Sequence, residues 1–290
     1  MARCEVCFRQ CNIEEKAIGF CGARTCIGGV VTAANYGRVT GIALDPIEKK
    51  PLSRFYPGSR ILSVGSYGCN LRCPFCQNYE ISWSDSALAM GKKEYIEYTA
   101  ISPEKLVQLA EAYKAQGNIG VAFTYNEPLI GYEFVRDTAK LLSSKGMKSV
   151  LVSNGTATLH VLDEILPFID AMNIDLKGFT DAYYKNVLGG NRRMVMEFIE
   201  RAAKDTHLEL TTLIIPGEND SEEEMRELTA WVAQLTDKHG NKIGSEIPLH
   251  ISRFFPRFKM TDRAATDVDK IYRLAEIARE KLKVVYTGNC

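Results

Sequence analysis

The chain has 290 residues, and its 36 basic and 36 acidic side chains give a formal net charge of zero. Apolar residues make up 46% of it and charged residues 25%, as in ordinary globular domains. This balance argues against a nucleic-acid-binding or membrane-binding surface, and no apolar run approaches the ~20 residues that span a bilayer. Because the pattern of a secretory signal is also missing, the sequence predicts a cytoplasmic protein, whose nine cysteines favour metal ligation over disulfides.

The N-terminal region, residues 1–58, is predicted to be a cysteine-rich metal-binding segment that ends in a β-hairpin. Its cysteines are Cys4, Cys7, Cys11 and Cys21, with Cys26 a little further on. Few long apolar runs interrupt this segment, and small segments with little core usually need a metal or disulfides. The first four thiols could form a tetrahedral zinc site, hold a second iron–sulfur cluster, or be free thiols in a loop. Cys26 is surplus to a set of four.

Two short β-type runs follow, at residues 29–32 and 38–43. The residues between them, Asn35-Tyr36-Gly37, are typical of a turn. This pattern predicts that the two runs pair as a hairpin that leads into the next domain, residues 59–290.

That domain begins with an apolar run, residues 61–67, which is predicted to be a buried strand. Cys69, Cys73 and Cys76 follow it directly at C-x3-C-x2-C spacing, on a loop where α/β barrels place their chemistry. Iron–sulfur cubanes are normally held by four thiolates, so three would leave one iron open to another ligand. A zinc loop or unrelated thiols is the alternative. The stretch from 83 to 99 is predicted to be irregular.

Beyond this stretch the chain alternates between helix and strand patterns, and the first helix begins with Ser102 as N-cap and Pro103 as first helical residue. Strands are predicted at 119–124, 147–152, 171–176, 208–215, 248–254 and 283–286. Later helices are predicted near 130–144, 158–166, 192–204, 221–236 and 267–281. Six βα units and a final strand predict an α/β fold, a partial (β/α)6 TIM-type barrel with a parallel sheet.

The cysteine loop, with Phe75 before its last cysteine, resembles the signature of the radical S-adenosylmethionine (SAM) superfamily. The resemblance implies that Cys69, Cys73 and Cys76 are the catalytic ligands of a [4Fe–4S] cluster whose open iron chelates the amino and carboxylate groups of SAM. It also implies an enzyme that splits SAM with one electron to a 5′-deoxyadenosyl radical and abstracts hydrogen from a substrate. A reductant such as ferredoxin or flavodoxin would supply the electron.

Polar residues at the predicted strand ends would suit SAM, which offers an amino group, a carboxylate, a ribose diol and an adenine. They are Asn126, Glu127, Ser153, Asn154, Asp175, Lys177 and His250. Some of them could instead be turn and cap residues, as for Asn154 with its following glycine. Asp175 and Lys177 point the same way in a strand, and a bare carboxylate–ammonium pair is costly to bury without a purpose.

Residues 61–289 further resemble the glycyl-radical-enzyme activases, of which the activase of pyruvate formate-lyase is the best known. The matched residues are Phe75 for adenine, Asn78 after the cluster ligands, Asn126-Glu127 for the SAM amino group, Asp175 and Lys177 for the methionyl carboxylate, and His250 for the ribose. Ser153-Asn154 matches the end of the family's third strand, although the family's aspartate falls on Val152 here.

Nearly the full chain is similar to the radical SAM enzymes of the AmmeMemoRadiSam system. The shared features are the cysteine-rich N-terminus, Asp-Pro-Ile-Glu-Lys-Lys-Pro-Leu at 45–52, the cysteine loop with Gln77-Asn78, and Tyr-Asn-Glu-Pro at 125–128. This resemblance implies partners of the AMMECR1 and Memo types.

Three functions are compatible with these patterns. The protein could activate a glycyl radical enzyme, or it could modify a small molecule or a protein residue with the help of a second cluster. Activases of the minimal type lack an N-terminal cysteine quartet in this position. The third possibility is that the protein is a non-catalytic metal-binding scaffold. Such a scaffold is expected to have lost the SAM-contacting residues, whereas this chain has all of Glu127, Asp175, Lys177 and His250.

Overall fold

The structure is a computed structural model that describes residues 1–83 and 97–290 of the chain. Within those residues the strands, in chain order, are β1 (Ala2–Arg3), β2 (Asn12–Ile13), β3 (Arg24–Ile27), β4 (Val30–Ala33), β5 (Arg38–Val39), β6 (Gly41–Pro46), β7 (Arg60–Gly65), β8 (Thr99–Ala100), β9 (Asn118–Phe123), β10 (Lys148–Ser153), β11 (Ala171–Asp175), β12 (His207–Ile214), β13 (Leu249–Arg253) and β14 (Val285–Gly288). The α-helices are α1 (Tyr79–Ser82), α2 (Pro103–Ala112), α3 (Tyr132–Ser144), α4 (Leu159–Ile165), α5 (Arg192–Ala202), α6 (Glu222–Val232) and α7 (Val268–Arg279). Most of the stretch predicted to be irregular, residues 84–96, lies outside the described residues.

The hairpin of the N-terminal region differs from the predicted one. Strand β3 pairs with β4 across Gly28 and Gly29, which have φ angles of 61° and 77°. The second predicted run does not join the first, because β5 pairs with β8 and β6 lies antiparallel along β7. The predicted pairing is therefore wrong. The two glycines supply the left-handed backbone that a tight hairpin turn needs, and they lie before the turn that the sequence indicated.

One sheet contains β6, β7 and β9 to β14, in the order β14-β13-β12-β11-β10-β9-β7-β6. Its neighbouring strands are parallel except for β6 and β7. Among the described strands, the edges β6 and β14 do not pair with one another, so the barrel stays open along one side. The predicted α/β fold with a partial barrel is confirmed, and β6 adds an antiparallel edge strand to it.

Helices pack against this sheet because each turns an apolar stripe toward it. In α2, which packs on β9, Leu106, Val107 and Ala110 are buried. The predicted start of this helix is confirmed, since the Ser102 side chain accepts a hydrogen bond from the N–H of Lys105. Helices α3 and α7 pack in the same way on β10 and on β13 with β14. No helix in residues 1–83 and 97–290 has the length and apolar character that a membrane span requires.

The segment 47–55 packs near the end of the sheet at which the parallel strands begin. Its buried residues Ile47, Leu52 and Phe55 form one apolar cluster with strand residues. Those strand residues are Ile61, Ala122, Val150 and Ala171. The segment 47–55 therefore covers this end of the sheet. The cysteine loop, which follows β7, lies at the opposite end, where the carboxyl ends of the strands are.

Candidate functional site

The loop that carries Cys69, Cys73 and Cys76 leaves the carboxyl end of β7 and lies against the N-terminal region. Gly68 begins it with a φ of 89°, and a Cβ atom there would lie 2.5 Å from the carbonyl oxygen of Cys21. The backbone N–H of Cys69 donates to the same carbonyl at 3.1 Å. This close approach requires a glycine and joins the two cysteine-rich parts of the chain.

Two asparagines predicted to serve the cofactor hold the ends of this loop. The Oδ1 atom of Asn126 accepts from the N–H of Ser66 at 2.9 Å. Its Nδ2 donates to the carbonyls of Tyr67 and Gly68 at 3.1 and 3.2 Å. Asn78 donates its Nδ2 to the carbonyl of Tyr125 at 2.7 Å. Both side chains therefore engage backbone groups that shape the cysteine loop.

Of the three loop cysteines, Cys73 is buried, whereas Cys69 and Cys76 are partly exposed. Burial raises the pKa of Cys73 to about 12, although the charge of Lys177 acts in the opposite direction. Burial likewise raises the pKa values of Cys69 and Cys76 above their ordinary value. The metal-free thiols are therefore protonated at neutral pH, and iron that binds to them must displace their protons.

Phe75 lies in the wall between the cysteine loop and the loop that follows β13. Its buried ring meets the ring of Phe254 edge-on, with the centroids 6.5 Å apart. The two loops are also joined by the N–H of Lys259, which donates to the carbonyl of Pro74 at 2.9 Å. The aromatic residue that the resemblance assigns to adenine is thus held on one side by the protein core.

Glu127 joins the ends of β9 and β10 beside the loop. Its Oε1 accepts from the hydroxyl of Ser153 at 2.7 Å, and its Oε2 accepts from the backbone N–H of Asn154 at 2.8 Å. The Nδ2 of Asn154 lies 3.7 Å from the Sγ of Cys69. Burial raises the pKa of Glu127 to about 7, although its hydrogen bonds act to lower it. Three predicted cofactor residues therefore form one hydrogen-bonded unit next to Cys69.

Lys177 and Asp175 form an ion pair at the end of β11, with Nζ 2.8 Å from Oδ2. The lysine side chain is only 18% exposed. Burial acts to lower the pKa of Lys177, but the carboxylate of Asp175 raises it above its ordinary value, so the ammonium stays charged. A largely buried cation thus lies beside the cysteine loop, where it can bind a carboxylate.

His250 hydrogen-bonds to a different set of residues. Its Nε2 is 2.7 Å from the Oε2 of Glu209, whose fully buried carboxylate also lies 2.9 Å from the Nε2 of His207. Among the hydrogen bonds and ion pairs of the described residues, none joins His250 to the cysteine loop or to the other predicted cofactor residues. Sequence reasoning missed Glu209, for which the only signal was a carboxylate inside an apolar strand.

The four N-terminal cysteines line one small cavity of about 10 Å³. Its lining includes Cys4, Cys7, Cys11 and Cys21 together with Arg9 and Arg24. Three of these cysteines are buried and Cys11 is partly exposed. Cys26 lies outside the cavity, and its thiol is 3.7 Å from a carboxylate oxygen of Glu15.

In the parts of the chain that the structure describes, no group of three or more His, Cys, Asp or Glu side chains is arranged to hold a metal ion. A four-iron cluster is wider than one ion, so its thiolates stand further apart. The cysteine loop offers one buried and two partly exposed thiols beside a charged lysine, and this donor set fits an iron–sulfur cluster with one open iron.

Known proteins match the chain along most of its length. The model of the radical SAM superfamily matches residues 63–229. An uncharacterized protein of Methanocaldococcus jannaschii is 38% identical over 289 residues, which cover 99% of this chain and 81% of that protein. Pyruvate formate-lyase 1-activating enzyme of Escherichia coli is 27% identical over 186 residues, which cover 62% of this chain and 70% of that enzyme.

Solved structures share the fold at low sequence identity. A radical SAM methyltransferase from Sphaerobacter thermophilus has a TM-score of 0.56 at 17% identity, covering 80% of this chain and 67% of that one. Streptococcus suis SuiB bound to S-adenosylmethionine has a TM-score of 0.58 at 12% identity, covering 77% of this chain and 48% of that one. QueE from Escherichia coli has a TM-score of 0.52 at 16% identity, covering 87% and 93%. At these identities the likeness shows the fold alone.

Proposed function

Because the chain belongs to the radical SAM superfamily, whose enzymes are catalytic and use a [4Fe–4S] cluster with SAM, we propose that Cys69, Cys73 and Cys76 hold this cluster and that the protein cleaves SAM and abstracts hydrogen from a substrate. The bound cluster supplies an open iron for the SAM amino and carboxylate groups and the electron that splits the sulfonium bond. The observation that carries the proposal is the ammonium of Lys177, which is charged, largely buried and close to Cys73. An anionic ligand bound beside the cysteine loop would give this ammonium a second negative partner.

In this proposal the chain's own residues orient SAM. Lys177 binds the methionyl carboxylate, and Asp175 holds the ammonium in place. Phe75 offers an apolar surface to the adenine ring. The unit of Glu127, Ser153 and Asn154 positions the cysteine loop and presents polar groups on the amino side of SAM.

The resemblance to the activases assigns His250 to the ribose of SAM, and this assignment stays a prediction. Its ring nitrogen is engaged by Glu209, whose carboxylate also accepts the backbone N–H groups of Ser53 and Arg54. This arrangement supports a structural role, in which the histidine helps to keep a buried carboxylate charged.

The assignment to the AmmeMemoRadiSam system, with AMMECR1-type and Memo-type partners, is the finer proposal. It is supported by contact between two of the shared sequence segments, 45–52 and 125–128, since the hydroxyl of Tyr125 donates to the Oδ2 of Asp45 at 3.0 Å. Within the first segment, the same oxygen lies 2.9 Å from the Nζ of Lys50. Burial acts to raise the pKa of Asp45, but the contacts with Lys50 and Tyr125 act to lower it and prevail, so that this pKa falls to about 2. The electron donor proposed is a ferredoxin or flavodoxin of the cytoplasm, where thiols stay reduced.

Two substrate classes are proposed. Similarity to the pyruvate formate-lyase 1-activating enzyme supports a glycyl radical enzyme as the substrate. The cavity lined by four N-terminal cysteines supports the other class, a small molecule or a protein residue modified with the help of a second metal centre. We propose that Cys4, Cys7, Cys11 and Cys21 hold that centre, as an iron–sulfur cluster or as zinc. Transfer of deuterium from labelled candidates into 5′-deoxyadenosine identifies the substrate.

Cleavage of SAM by the anaerobically reconstituted protein tests the main proposal. With dithionite as reductant, the wild type is expected to convert SAM to methionine and 5′-deoxyadenosine. Cys73→Ala should lose this activity because it removes a cluster ligand. Cys290→Ala, which removes an exposed cysteine outside both thiol sets, should retain it. Normal cleavage by Cys73→Ala would contradict the proposal.

A further inference from the structure

Tyr125 has a strained backbone conformation next to the cysteine loop. Its φ angle is 71°, and the N–H of Asn126 donates to the carbonyl of Thr124 at 3.0 Å. These two features define a γ-turn whose central residue has a positive φ, a rare and strained form that a bulky aromatic residue adopts only at a cost. Because such strain persists only where surrounding contacts hold it, the contacts of Tyr125 must be strong enough to keep the turn in place.

The turn around Tyr125 holds both ends of the cysteine loop. The side chain of Asn126 bonds three backbone groups where the loop begins, at residues 66–68. Where the loop ends, the Nδ2 of Asn78 donates to the carbonyl of Tyr125 at 2.7 Å. These contacts bracket the three cysteines, so the orientation of the turn fixes where the loop starts and where it ends.

The side chain of Tyr125 joins this turn to the segment 45–52. Its hydroxyl donates to the Oδ2 of Asp45 at 3.0 Å. The Nζ of Lys50 lies 2.9 Å from the same oxygen and 4.8 Å from the centre of the tyrosine ring, within the range of a cation–π contact. Gly65 leaves room for the ring, because a Cβ atom there would lie 2.7 Å from the ring atom Cδ2. Three parts of the chain therefore meet on this one side chain.

The partners of Tyr125 are themselves firmly held. The side chains of Asp45 and Lys50 are only 13% and 4% exposed. Asp45 lies on the edge strand β6, and the residues that follow it include Ile47 and Leu52, which are fully buried in the apolar cluster at the start of the strands. A hydrogen bond to a carboxylate is strong and directional, so this segment gives the turn a fixed point of attachment.

From these contacts we propose that Tyr125 is a positioning residue for the reaction, and that Asp45 and Lys50 make the N-terminal region contribute to the SAM site. The bond from the hydroxyl to Asp45 holds the turn in its strained form, and the turn holds the cysteine loop in the shape that binds SAM. The radical SAM model matches residues 63–229, so this contribution comes from outside the matched part of the chain. The inference rests on the proposed function, in which SAM binds beside the cysteine loop.

Hydrogen–deuterium exchange of the metal-free full chain tests the attachment without a cluster or SAM. Tyr125→Phe removes only the hydroxyl, and exchange in residues 66–78 should become about tenfold faster or more, as expected when an opening equilibrium loses one charge-assisted hydrogen bond. Tyr36→Phe is the matched control, since it removes a tyrosine–aspartate hydrogen bond of 2.9 Å that joins the loop after β4 to Asp137 in α3. It should exchange as the wild type does.

Exchange in α6 separates a local effect from a folding defect. In Tyr125→Phe it should match the wild type, and either an equal acceleration in α6 and the loop or no acceleration in the loop would overturn the proposal. Asp45→Asn weakens the same bond at almost unchanged size and should also accelerate the loop. Because both changes act on one bond, the double variant should be little worse than either single variant. Fully additive effects would show that the two residues act separately and would overturn the proposal.

Steady-state kinetics of the anaerobic holoprotein test the link to SAM. In Tyr125→Phe, SAM meets a loop that has the binding shape for only part of the time, which raises KM in proportion. We expect KM for SAM to rise about tenfold, while kcat at saturating SAM, where binding has restored the shape, stays within about twofold of the wild type. A fall in kcat at unchanged KM would overturn the positioning role. A wild type that cleaves no SAM would contradict the proposed function, whereas unchanged loop exchange in Tyr125→Phe would contradict this inference alone.

Discussion

The residue on which the proposed SAM site depends most is Lys177. Its ammonium is largely buried, paired with Asp175 and next to Cys73. Such a cation needs negative partners, and a single aspartate at the edge of a ligand site leaves room for a second one. The methionyl carboxylate of SAM would be that partner.

We therefore expect Lys177→Met to weaken SAM binding about tenfold or more, because a charge-assisted hydrogen bond contributes roughly 1.5–3 kcal/mol. Iron content should stay the same, since the lysine is not a cluster ligand. Isothermal titration calorimetry of the anaerobic holoprotein measures the change, with Lys185→Met, at an exposed lysine nearby, as the control. Equal affinity in Lys177→Met and the wild type would remove the lysine from the site.

At this same scale, sequence reasoning is strongest where the residues of a site lie close together in the chain. The thiols at 69, 73 and 76 could be predicted as one set because ligands so close in sequence stay close in any fold. The contact of Glu209 with His250 could not be predicted, because it joins two strands whose register is fixed by the whole sheet. The asparagines at 126 and 154 were recognised as strand-end residues, but their hydrogen bonds to the loop depend on its path.

At the scale of elements, the close approach of two loops makes Gly68 the most demanding position. An alanine there would combine a φ of 89° with a Cβ atom 2.5 Å from the backbone of Cys21. Gly146 has a φ of 64° but open space where its Cβ would lie. The two glycines therefore separate the effect of the backbone conformation from the effect of the collision.

Gly146→Ala should lower the free energy of unfolding by about 1–2 kcal/mol, the cost of a left-handed alanine. Gly68→Ala should lower it by roughly 1–3 kcal/mol more, because backbone must move to relieve the overlap. It should also reduce the iron bound on reconstitution, whereas Gly146→Ala should not. Urea unfolding of the metal-free protein and iron analysis measure both effects, and equal losses in the two variants would contradict the assigned collision.

The parallel strands of the sheet agreed with their predicted positions to within about two residues, because apolar runs and helical stripes alternate clearly along this part of the chain. The N-terminal pairing failed for a different reason. The two-residue strand β5 carries little pattern of its own, and the partners of β5 and β6, which are β8 and β7, are chosen by the packing of the barrel edge. Local turn signals do not contain that information.

At the scale of the whole molecule, Glu209 ties the N-terminal region to the barrel. Its two oxygens accept the N–H groups of Ser53 and Arg54, at 3.0 and 2.8 Å, from the segment that covers the start of the strands. The same oxygens contact His207 on its own strand and His250 on the next. Burial acts to raise the pKa of this carboxyl, but the histidines and the backbone donors prevail and lower it to about 2.

This shift makes stability depend on acid in a defined direction. Above the ordinary pKa of about 4.5, the carboxylate is charged in the folded and the unfolded chain, and its contribution is complete. As the pH falls from there toward 2, the unfolded chain takes up a proton first, so the contribution is lost. The metal-free wild type should therefore lose stability over this range.

Glu209→Gln should be less stable than the wild type at pH 6 by about 1.5–3 kcal/mol, because it replaces charged hydrogen bonds in a buried site. The difference between the two proteins should shrink as the pH falls from about 4.5 toward 2, since the variant has no proton to take up at this position. Glu246→Gln, which removes an exposed carboxylate of a surface ion pair, serves as the control and should change stability little at any pH. Urea unfolding at a series of pH values measures all three proteins, and a constant difference between wild type and Glu209→Gln down to pH 2 would show that this carboxylate does not hold the covering segment on the barrel.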